Sequence, residues 1–143
     1  MRFRADSGRA SLEFLVGAVI LFVPLVTIQT LLSTVTQAQL GVEMAARHGA
    51  RVFIQQVNMD AATKALYRSV EQAVRDFGID TTPSIALRCR PQNSCLAPGS
   101  FVDVSVSMLT PLGQVPLIPA DLPVSVPIRA QASAQVSAFR GEP

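Results

Sequence analysis

Between Glu13 and Glu43 the chain carries no charged residue. Phe14 to Leu32 gives nineteen positions in which only Thr27, Gln29 and Thr30 offer hydrogen-bonding side chains. At 1.5 Å per residue such a helix is about 28 Å long, close to one hydrocarbon thickness of a bilayer. Little else satisfies so apolar a stretch, because a helix pairs its own backbone groups and needs none from the surroundings. Pro24 falls mid-span and is expected to kink the helix. Arg2, Arg4 and Arg9 precede the run with only Asp6 against them. By the positive-inside rule, this keeps the N-terminus cytoplasmic and sends the chain beyond Leu32 outward. A secretory signal peptide has a shorter apolar centre, of about 7 to 15 residues. The pattern Ser33 to Ala38 also continues helically, with no turn to mark a cleavage loop.

Composition narrows the function classes. Of 143 residues 49% are hydrophobic and 15% charged, the mean hydropathy is +0.36 and the net charge is +2. No basic field large enough for nucleic acid results. Trp is absent and Tyr67 is the single tyrosine, which disfavours stacking of bases on aromatic platforms.

Val35 to Ile54 places its apolar residues at helical spacing, so the first helix is expected to leave the membrane without stopping, over residues 9–57 with the span at 14–32. Gly41 and Gly49 oppose this reading, each costing about 1 kcal/mol against Ala. Asn58 or Asp60 can cap a second helix, in which Leu66, Val70, Val74 and Phe77 share one face and Lys64, Arg68, Glu71 and Arg75 the other, ending at Gly78. From Pro83 onward prolines accumulate and alternation takes over. Ile85, Leu87 and Cys89 oppose Arg88 and Arg90. Val102, Val104, Val106 and Met108 oppose Asp103, Ser105 and Ser107. Val124 to Val136 alternates with Ser125, Arg129, Gln131, Ser133, Gln135 and Ser137. These patterns predict an antiparallel sheet with one dry face, covered by the Leu66 to Phe77 stripe. Residues 111–123 hold four prolines and read as a long, partly apolar loop. The fold class is therefore α+β, a long N-terminal transmembrane and amphipathic helix packed on a small antiparallel sheet, with a cytoplasmic leader at 1–8, the long helix at 9–57 and an extracytoplasmic helix-plus-sheet domain at 58–143.

No catalytic set emerges. His48 is the sole histidine, with no cysteine near it in sequence, and reads as a solvated helix residue rather than part of a nucleophilic triad. Cys89 and Cys95 fall in the exported part, where a disulfide persists, and two sulfurs alone fall short of a four-ligand zinc site. Asp76, Asp80, Asp103 and Asp121 are scattered, and no phosphate-cradling glycine loop is present. Arg47 and Arg51 lie at i and i+4 and would share one helix face near the membrane surface, available to lipid headgroups or simply solvated. The sequence thus points away from an enzyme and calls for no cofactor, metal, nucleic acid or small-molecule substrate.

Glu13 remains to be explained. An ionised carboxylate costs about 2.5 to 3.5 kcal/mol at the centre of an inserted helix and less near its end. Gly8 is followed at the fifth position by Glu13, then Phe14, then the apolar run, all behind a short basic leader. This arrangement resembles the type IV pilin class and, more narrowly, the TadE family of pilin-like proteins from tight-adherence (Tad) pilus systems. "MAARHGARVF", Met44 to Phe53, is similar to the Ala/Arg-rich stretch that follows the span in that family. The resemblance covers Gly8 to Phe53. It implies a pilin-like fold, cleavage between Gly8 and Arg9 by a prepilin peptidase, and assembly through Glu13 and Phe14. Glu13 would neutralise the free amino group of a neighbouring pilin-like subunit. Arg9 stands where classical pilins favour Phe, and the chain exceeds the very short major pilins in length, which favours a minor, pilus-associated role. The expected location is a single pass through the cytoplasmic membrane among its lipids, N-terminus inside, with incorporation in or at the tip of a pilus. The rival expectation is a signal-anchored exported binding protein of the cell envelope that is neither processed nor assembled.

Overall fold

The computed structural model of the protein describes residues 6–79, 81–92, 94–111 and 125–139, with side chains from residue 10 onward. Residues 1–5 of the expected leader lie outside it, as does the expected proline-rich loop apart from Pro111.

Helix α1 runs unbroken from Asp6 to Ile54, 49 residues, with Pro24 inside it. It ends because Asn58 takes an extended conformation (φ −133°, ψ 161°) and accepts a hydrogen bond from the Ala61 amide at 2.8 Å, capping α2, Met59–Asp76. The cap satisfies a helix N-terminal donor that would otherwise be orphaned, and forces a new helix rather than a continuation of the first. α2 stops at Phe77, and Gly78 adopts φ +71°, the left-handed conformation that closes a helix C-terminus at least cost for glycine.

Three strands follow: β1 (Ser84–Arg90), β2 (Phe101–Pro111) and β3 (Ser125–Gln135). They form one antiparallel meander in the order β1-β2-β3, with Leu87 and Ala132 flanking Val104 in register. The alternation read from the sequence appears in the burial: Val102, Val104, Val106 and Met108 are buried while their neighbours are not. A disulfide joins Cys89 at the end of β1 to Cys95 in the following loop, with Cα atoms 5.0 Å apart. The Arg90–Pro91 peptide between them is cis.

One expectation fails here. The close cover of the sheet is not α2 but the C-terminal half of α1, which packs on β3 and β2 and also holds α2. Residue size explains it. Ala38, Val42, Ala45, Ala46 and Ala50 are all buried, and small side chains let the helix backbone approach the strands closely. The two glycines that argued against a helix are where α2 meets it. A Cβ on Gly41 would lie 2.9 Å from Phe77 Cγ, and one on Gly49 would lie 2.7 Å from Leu66 Cδ1 and 2.9 Å from Val70 Cγ2. Their cost in helix propensity is offset by the packing they permit. Phe53, Leu66, Val70 and Val74 complete the core with the strand valines.

Candidate functional site: the free half of the long helix

Among the described residues, the N-terminal half of α1 packs against nothing. Thirteen large apolar side chains from Leu12 to Leu32 are exposed, Phe14 by 77%. Burying each would stabilise by at least about 1.5 kcal/mol, so together they represent on the order of 20 kcal/mol, more than the entire net stability of an ordinary domain. A surface of that size is not left to water. The segment is long and apolar enough to cross a membrane, and its polar residues are already suited to an apolar medium. Thr27 donates its hydroxyl to the Val23 carbonyl at 2.8 Å, Thr30 to Thr27 at 2.9 Å, Thr34 to Thr30 at 3.0 Å and Thr36 to Leu32 at 2.8 Å. Each donor is satisfied within the helix, which removes most of the penalty for placing a hydroxyl in hydrocarbon.

Glu13 and Phe14 stand at the start of this half, both exposed. Gly8 and Arg9 lie within the same helix, one turn earlier. From Glu13 to Glu43, the next charged residue, the helix rises about 45 Å. Glu43 pairs with Arg47 at i,i+4, so Arg47 is engaged on its own helix rather than free for a headgroup. His48 is exposed on α1, and among the described residues no three His, Cys, Asp or Glu side chains gather into a metal-binding group. The disulfide belongs to the sheet and shares no surface with Glu13. The residues singled out in the sequence therefore fall into two groups, one on the free helix and one in the domain.

A third group was not visible in the sequence. On the outer face of the sheet, Arg90 donates to Asp103 at 3.0 Å across β1 and β2, and its guanidinium carbon lies 5.8 Å from the centroid of the Phe101 ring. The Ser133 hydroxyl most of all, with Arg90 and then Arg88, holds the Asp103 carboxyl below its ordinary range against burial, which pushes it up and is second in size only to Ser133. Alternation had put these side chains on the wet face, but only the register brings Arg88, Asp103 and Ser133 into one row.

No family model, curated protein or solved structure matches the chain.

Proposed function

We propose that the protein is a minor, TadE-like pilin subunit of a Tad or type IV-type pilus, processed after Gly8 and assembling through its N-terminal helix and Glu13. The observation that carries this reading is the unpartnered apolar half of α1, continuous with a folded domain and bearing one carboxylate at its threshold. A plain anchor needs the apolar length but has no use for Glu13. An assembling helix does, because pairing the carboxylate with a neighbour's amino group lets two groups that are each poor guests in lipid neutralise one another. Cleavage after Gly8 would also remove Arg2 and Arg4, leaving less positive charge to hold the helix in the cytoplasmic leaflet. The domain of α2 and the sheet would then face outward from the membrane.

The test is the mass of the N-terminal peptide of the protein from its native cells, with and without the prepilin peptidase. A mature chain starting at Arg9, formed only when the peptidase is present, is the expected result. A chain still starting at Met1, or one starting beyond Leu32, favours the anchored or secreted binding protein instead.

A further inference from the structure

The outer face of the sheet has a concave region at its disulfide end, which the assembly reading does not use. An open depression of about 860 Å³ lies there, lined by Arg88, Arg90, Asp103, Gln131 and the Cys89–Cys95 disulfide among others. Arg88 is exposed and has no ion pair among the described residues, whereas Arg90 is held by Asp103 and lies over Phe101. The Asp103 side chain is only 13% exposed and is held by Arg90, which reaches its two carboxylate oxygens at 3.0 and 2.9 Å, so it lines the depression as a fixed acceptor. Gln131 adds an amide that both donates and accepts.

This set selects its ligand by chemistry. A free guanidinium fork matches a planar carboxylate. A fixed carboxylate beside an amide suits vicinal hydroxyls, which both donate and accept. Two guanidiniums against one carboxylate leave the depression with only a small positive charge, too little to hold a densely charged polymer by charge alone, and Arg90 covers the Phe101 ring that a base would need for stacking. The shape is open rather than enclosed, unlike the pocket that buries most of a small molecule, and leaves room for a linear chain to pass through. The geometry points to a binding site for an acidic polysaccharide of the polyuronate kind, with Arg88 holding a sugar carboxylate while Asp103 and Gln131 bind ring hydroxyls. The site stands apart from Glu13 and is independent of whether the chain is processed.

Titration of the full chain in detergent micelles with alginate oligosaccharides tests it, with dextran as the uncharged sugar and dextran sulfate as the dense polyanion. Alginate is expected to bind, dextran to give no signal and dextran sulfate to bind no more tightly than alginate. Arg88→Gln should weaken alginate about tenfold or more, since a charge-assisted fork is lost. Arg129→Gln removes the same charge from the same face, in the row of Ser84 and Ser107 outside the depression, and should change affinity by less than about twofold, because exposed charges that far apart are largely screened. Unchanged melting of both variants confirms that each is folded. Absence of alginate binding, equal losses in the two variants, or a preference for dextran sulfate would overturn the assignment.

Discussion

The two halves of α1 share one hydrogen-bonded backbone and differ in what their side chains meet. From Leu12 to Leu32 the apolar residues are large, Val, Leu, Ile and Phe, and almost all are exposed; around Gly17 there is nothing within 4 Å of where a Cβ would stand. From Ala38 to Phe53 they are mostly Ala and Gly with a few larger residues, and apart from Leu40, Met44 and the half-buried Val52 they are buried against α2 and the sheet. Hydrophobicity alone does not separate the halves. Size does: small residues let neighbouring backbones come close within the molecule, while bulky ones give a surface fitted to lipid or to another helix.

The largest effect should come from the largest buried side chain of the packed half. Phe53→Ala is expected to cost about 3 to 5 kcal/mol of domain stability by opening a cavity, whereas Phe22→Ala in the free half should change it by less than about 0.5 kcal/mol. Urea unfolding of the two variants in detergent, followed on the domain, compares them directly; equal losses would erase the distinction.

Removing the disulfide as a Cys89→Ser, Cys95→Ser pair comes next. In the chain-entropy account, releasing a closed loop this short costs about 2 kcal/mol, and the melting temperature of the double variant reads it. Below that stands Gly41→Ala. The gain in helix propensity is about 1 kcal/mol, but the new methyl meets the base of the Phe77 side chain, where overpacking costs about 1 to 3 kcal/mol. A net loss of about 1 kcal/mol is expected, and Gly17→Ala should leave the domain unchanged; a stabilised Gly41→Ala would show that α2 does not press on α1 there.

The smallest effect concerns pH. Asp103 has its pKa lowered in the folded state, so its contribution is fully present above the unfolded carboxylate value of about 3.9 and is lost as pH falls below it through the folded value. Acid unfolding curves of the wild type and Asp103→Asn should therefore converge below about pH 4 and separate above it. Convergence in the opposite direction would mean that Ser133 and Arg90 do not favour the ionised form.

Much of this architecture is legible in the residues. The apolar run declares a helix by length, Asn58 and Asp60 offer a cap, of which the fold uses Asn58, and the period-two strands declare a dry and a wet face, because each depends on local spacing. What the sequence withheld depends on which elements become neighbours. Gly41 and Gly49 look like helix breakers until Phe77, Leu66 and Val70 fill the space they leave. The stripe from Leu66 to Phe77 looks like the cover of the sheet until the alanines of α1 come closer. Arg88, Arg90 and Asp103 look like ordinary solvated charges until the register of β1 and β2 sets them side by side. Glu13 is the reverse case: its position is evident in the sequence, and the purpose proposed for it depends on a second subunit.

The central claim is that the free half of α1 serves assembly while the packed half serves folding, and Glu13→Ala tests both at once. The variant should melt as the wild type does in detergent, yet its recovery in sheared surface filaments should fall by about tenfold or more, the loss expected when one partner of a desolvated ion pair is removed. Recovery of Glu13→Ala in that fraction at the wild-type level would contradict the account.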